Sequence, residues 1–158
     1  MNKLTAIKLY RLSNMLYKKN VPFFPKLIYR LIYFINNCHV HYSTHIGKGT
    51  KIAYGGIAVV IHKDAIIGEN CVIESCVTIG GRSNLKELPV IGDNVFIGTG
   101  AKILGNIKIG NNVIIGANAV VIKDVPSNTI VAGVPAKIIN NIKDVNEKSN
   151  LLEIVGGK

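Results

Sequence analysis

A six-residue pulse between Ile61 and Val121 constrains this chain more than any other feature. Ile or Val falls at Ile61, Ile67, Ile73, Ile79, Ile91, Ile97, Ile103, Ile109, Ile115 and Val121. Gly follows at Gly68, Gly80, Gly92, Gly98, Gly110 and Gly116, and two places later Asn or Gly recurs at Asn70, Asn94, Gly100, Asn112 and Asn118. The next place holds a small or β-branched residue: Cys71, Val95, Ala101, Val113 and Ala119. A period of six fits no helix, yet it is a whole number of strand alternations. Every pulse therefore points its aliphatic side chain the same way. The Gly and Asn places suit corners that need left-handed backbone geometry. Short strands broken by corners and stacked coil on coil make a parallel β-helix, an all-β solenoid.

The pulse fails twice. From Ile52 to Ile61 is nine residues, so the period slips by three across AYGGIAVV, around Tyr54, Gly55 and Gly56, with His62 directly after. Residues 80–90, GGRSNLKELPV, take up one unit without its signature and read as a loop leaving the wall. Departures from a repeat build functional surface, and loops on rigid scaffolds carry binding groups. Arg82, Lys86 and Glu87 of that loop are the expected acceptor-binding residues.

Before the pulse, residues 3–19 carry Leu4, Ile7, Leu9, Leu12, Met15 and Leu16 near one helical face, and a second helix is expected over 26–36. Pro22 and Pro25 separate them. The layout is a basic amphipathic arm (1–40), the β-helix (41–139) and a polar C-terminal tail (140–158). The arm has two compatible readings, a cap on the open end of the coils and a membrane-surface contact. The net charge of +10 belongs to this end, because residues 1–62 hold nine Lys/Arg and no acid while 63–158 hold ten against nine. A nearly neutral repeat domain argues against nucleic acid as a partner. Cys38, Cys71 and Cys76 lack CxxC spacing and read as reduced thiols, which suggests the cytoplasm, at the inner membrane face if the arm meets lipid. His39, His41 and His45 lie close together without a carboxylate or cysteine at ligand spacing, so a lead-in strand is expected and no metal.

VVIHKDAIIGENCVI, VTIGGRS, IGTGAKILGNIKIGNNVIIGANAVV and AGVPAKII resemble the hexapeptide-repeat acyltransferases, and within them the serine O-acetyltransferase-like branch. The resemblance covers about residues 46–139. It implies a left-handed β-helix, a homotrimer with sites in clefts between prisms, and acetyl-CoA as acyl donor. It places Gly80, Gly81, Gly100, Ala101, Ala117 and Ala119 along the pantetheine arm, with Lys123 and Lys137 at the phosphates. Small residues let a backbone approach a thin chain, and phosphates want point charges. The chain departs from the branch at three places. The catalytic Asp-His pair corresponds to Ala53-Tyr54, the assisting Asp falls near His39, and the Arg-His pair that grips the serine carboxylate corresponds to Glu87-Leu88.

Direct transfer from a thioester needs a base near neutrality and donors for the oxyanion. His62 is the expected base, oriented by Asp64 or by Glu87 of a neighbouring subunit, with Tyr54 as runner-up. An acid where a carboxylate must bind points away from serine. The expectation is therefore acetyl transfer to a sugar hydroxyl of a surface polysaccharide or its precursor. Serine acetylation is the alternative, and a non-catalytic scaffold or a metal hydratase on the same fold are the readings of other classes.

Overall fold

A computed structural model of the chain describes residues 5–82 and 87–143. The short strands fall into three faces. His39–Val40, Val60–Ile61, Thr78–Gly80, Lys102–Leu104 and Val120–Val121 stack in parallel as face one. His45–Ile46, Ile66–Ile67, Val90–Ile91 and Lys108–Ile109 make face two. Lys51–Ile52, Val72–Ile73, Phe96–Ile97, Ile114–Ile115 and Thr129–Ala132 make face three.

Register measures the coils. Val60 pairs with Thr78, 18 places on, and Lys102 pairs with Val120, again 18 on, so a regular coil is three pulses. His39 pairs with Val60, 21 on, which locates the three-residue slip in the first coil. Thr78 pairs with Lys102, 24 on, so the loop adds one full pulse and the inward register survives it. Ile61, Ile67, Ile73, Ile79, Ile97 and Ile103 accordingly have 0% exposure, and Cys71, Ala101, Val113 and Ala119 fill the corners beside them at 0%. Each buried aliphatic side chain is worth about 2 kcal/mol against leaving it in water.

The two recurring corner residues work for different reasons. Asn70, Asn94, Asn112 and Asn118 take φ of 54° to 57°, the left-handed geometry expected of them. The Gly of the pulse is not left-handed at Gly68, Gly92 or Gly110. It is needed because coils touch there: a Cβ on Gly68 would stand 2.6 Å from the carbonyl carbon of Gly92.

Helix α1 (Ala6–Lys18) and helix α2 (Phe24–Asn36) lie against the first coil. Ala6, Leu9, Tyr10 and Ile32 belong to the same core as the coil isoleucines. Tyr10 donates its hydroxyl hydrogen to the carbonyl of Thr44, and Arg11 donates to the carbonyls of Ile46 and Gly47. Arg11 thus satisfies carbonyls on the first coil, which no preceding coil pairs.

At the other end, Lys137–Asn141 runs antiparallel to Thr129–Ala132. Ile142 then packs with Phe96, Ile114 and Ile130. Those three point outward from face three yet are nearly buried, so the face needs this cover. The closing strand and Ile142 thus run past residue 140, where the sequence reads as a polar tail, and residues 144–158 of that tail lie outside the described ones.

Candidate active site

Two edges of the prism carry the chemistry-bearing residues. Between faces one and two the chain passes through 41–44, 62–65, the loop between Gly80 and Val90, 105–107 and 122–124. Between faces three and one it passes through 53–59, 74–77, 98–101 and 116–119. The first edge holds His62 and the second holds Tyr54, with the whole of face one between them.

At the His62 edge the register that pairs Val60 with Thr78 and Ile61 with Ile79 sets His62 beside Gly80 on the next coil, about 5 Å away. On the coil before it stands His41, since Val40 pairs with Ile61. The His62 side chain is 44% exposed, and its Nδ1 accepts the backbone N–H of Asp64 at 3.2 Å. The Asp64 carboxylate lies 3.8 Å from the same nitrogen, too far for a hydrogen bond. With Nδ1 accepting, the neutral ring carries its proton on Nε2. The outward nitrogen is then a donor. His62 becomes a base only by releasing the Asp64 N–H, a bond worth about 1 kcal/mol.

The fold gives His41 more company than its place on an expected lead-in strand would. Its Nδ1 lies 2.7 Å from Ser43 Oγ, its ring stacks on Tyr42 with centroids 3.9 Å apart, and Tyr29 meets it edge-on. Burial, followed by the neighbouring His39 and Lys63, holds its pKa below the ordinary imidazole range, with Asp64 pulling the other way. His39 hydrogen-bonds to the Tyr29 hydroxyl. The three lead-in histidines are thus partners of the arm's aromatic residues, or exposed, as His45 is.

Below Gly80 the loop begins. Among the described residues a Cβ on Gly80 would meet nothing within 4 Å, so their packing does not require this glycine. Gly81 faces Leu88. Arg82 and Glu87 are exposed, and Glu87 accepts a hydrogen bond from the Asn106 side chain. Lys86 lies outside the described residues. Lys123 is exposed three coils beyond His62, about 14 Å along the edge.

The Tyr54 edge absorbs the slip as a left-handed turn, with φ of 49° at Tyr54, 70° at Gly55 and 93° at Gly56. Tyr54 is 68% exposed. Directly on the next coil, beside Ala53, stands Glu74, whose carboxyl burial pushes upward in pKa. Nothing in its spacing marks Glu74, and only coil stacking sets it against the slip. Further along come Gly100, left-handed at φ 76°, and Ala117, exposed. Ala101 and Ala119 are buried, and both backbone groups of each are engaged: their N–H groups donate to the carbonyls of Gly98 and Gly116 in the same corner, and their carbonyls accept the N–H of Thr78 and of Lys102, respectively, from the preceding coil. Their part is to shape the cleft wall. Lys137 is exposed at the C-terminal end of this edge, where Ala136 bonds back to Val120.

The residues expected in one site therefore divide between two edges. His62, Gly80, Gly81, Arg82, Glu87 and Lys123 share one; Tyr54, Gly100, Ala101, Ala117, Ala119 and Lys137 share the other.

Residues 89–123 match the bacterial transferase hexapeptide (six repeats) family. The chain is 40% identical over 136 residues to a serine acetyltransferase of Synechococcus elongatus, covering 85% of this chain and 55% of that protein. It is 38% identical over 136 residues to the serine acetyltransferase of Helicobacter pylori (strain J99), covering 85% of this chain and 79% of the relative. A solved serine acetyltransferase in complex with CoA superposes with a TM-score of 0.76 at 34% identity, over 85% of this chain and 55% of the other. The chain spans little more than half the length of several of these relatives. With the pulse, three parallel faces and this identity through the coils, the chain belongs to the serine acetyltransferase family of left-handed β-helix transferases built from hexapeptide repeats.

Proposed function

We propose that this protein transfers an acetyl group from acetyl-CoA to a hydroxyl. The observation that carries it is the 40% identity to a serine acetyltransferase over 136 residues, together with open space among the described residues at Gly80 beside His62. A backbone without a side chain lets a thin pantetheine arm lie close, and Lys123 or Lys137 meets the phosphates. The acceptor oxygen attacks the thioester carbon while His62, freed from the Asp64 N–H, takes its proton. Asp64 stabilises the imidazolium. The tetrahedral intermediate collapses with loss of the CoA thiolate, and the imidazolium returns the proton to that sulfur.

The assembly that suits two separated half-sites is a threefold ring of chains. A cyclic ring apposes two different surfaces at each interface, here the His62 edge of one copy and the Tyr54 edge of the next.

Serine is the first acceptor to name, because the relatives and the CoA-bound structure are serine acetyltransferases. A sugar hydroxyl is the second reading, and Glu87 favours it. Its carboxylate stands where the resemblance puts residues that grip the carboxylate of serine, and it would repel that group. CoA release measured with serine and with a panel of sugars separates the two. Release with serine alone removes the sugar reading; release with a sugar alone removes serine. In the productive assay His62→Ala is expected to lose about 100-fold in kcat, the usual worth of a general base. A loss under tenfold removes His62 from that role.

A further inference from the structure

We propose that the helical arm is a docking surface for an anionic lipid bilayer, a contact independent of acetyl transfer. Helix α2 buries Pro25 and Ile32 against the domain and turns an opposite apolar stripe outward. On that stripe Phe24 is 55% exposed, Leu27 48%, Leu31 42% and Phe34 86%. The spacing of three and four residues makes one continuous helical face. Isolated exposed apolar side chains need no explanation, whereas a contiguous stripe of four marks a contact surface.

The tip of the helix pair supplies a second observation. Phe23 has φ 68° and ψ −51°, and the Phe24 N–H donates to the Pro22 carbonyl at 2.8 Å, which defines a γ-turn with positive φ at its centre. That turn is strained for a bulky residue. It holds the Phe23 ring outward at 73% exposure, adjoining the stripe. An outward aromatic held by a strained turn, rather than tucked under α1, is a shape that inserts.

Charge names the occupant. Lys18, Lys19, Lys26 and Arg30 are all exposed on the arm, and residues 1–62 contain no acidic residue. A second copy would bring like charges together, whereas anionic headgroups complement them while acyl chains receive the rings. The helix lies on the bilayer and does not cross it: among the described residues no helix is long and apolar enough to span, and α2 has 13 residues, about 20 Å. A helix about 10 Å thick would then separate the headgroups from the first coil, with His39 and His41.

The test is sedimentation of the full chain with vesicles of phosphatidylcholine alone and of phosphatidylcholine with 30% phosphatidylglycerol. Binding is expected to the anionic vesicles only and to weaken on raising salt. Each removed exposed lysine is expected to weaken it about fivefold. Phe23→Ser with Phe34→Ser, both exposed and therefore tolerated by the fold, is expected to abolish binding while the thermal melt and oligomeric state stay unchanged. Equal pelleting with and without vesicles, or undiminished binding by the double variant, overturns the proposal. So does an oligomer that the double variant dissociates, because the stripe is then an interface between copies.

Discussion

At the scale of single residues, the two glycines Gly47 and Gly80 occupy the same place in the pulse and have opposite environments. A Cβ on Gly47 would stand 2.4 Å from the carbonyl carbon of Gly68, which is backbone and cannot yield, so Gly47→Ala is expected to destabilise by about 2–3 kcal/mol in a denaturant melt. Gly80→Ala is expected to leave stability within about 0.5 kcal/mol, because no atom of the described residues lies within 4 Å of its Cβ, and to raise KM for acetyl-CoA several-fold. An unchanged KM would take the donor away from Gly80. Cysteines divide in the same manner. Burial pushes the Cys38 thiol up to about 12, Cys71 is enclosed and donates to the Gly92 carbonyl at 3.2 Å, and Cys76 is exposed. A colorimetric thiol titration at pH 8 is expected to find one fast thiol in the folded protein and three in denaturant. The enclosure of Cys71 follows from its place in the pulse. The pairing of His62 Nδ1 with the Asp64 N–H does not, since a hydrogen bond within a corner depends on torsions that no spacing encodes.

At the scale of elements, the ends of the solenoid are where cover is required. The N-terminal end is closed by α1, whose Tyr10 and Arg11 satisfy carbonyls of the first coil. Both helices of the arm were legible within about three residues from their apolar spacing. The closing strand Lys137–Asn141 and Ile142 were less so, because INNI reads as polar when taken alone. What makes it an element is the apolar outer surface of face three, from residues distant in sequence. Ile142→Ala is expected to destabilise by about 2 kcal/mol and to expose Phe96, read as increased binding of a hydrophobic dye.

At the scale of the whole molecule, two half-sites on separate edges predict complementation. His62→Ala damages one edge and Lys137→Glu the other, and neither alone should support turnover at low acetyl-CoA. If each cleft takes one edge from each of two copies, refolding an equal mixture gives about a quarter of the clefts both intact edges. Recovery of about a quarter of the wild-type rate is the expected result. No recovery would place each complete site within one chain.

The pulse by itself determined the solenoid, its inward aliphatic column and the location of both interruptions, because side-chain alternation and corner geometry are local and repeat with the sequence. The tertiary structure alone decided which interruption stands on which edge. Slips of three and six residues look alike along the chain. Only stacking of coils 18 residues long turns sequence distance into position around the prism, setting His62 against Gly80 and His41, and Tyr54 against Glu74. Contacts between coils join residues that no local pattern connects, so the division of the candidate site between two edges is a property of the fold.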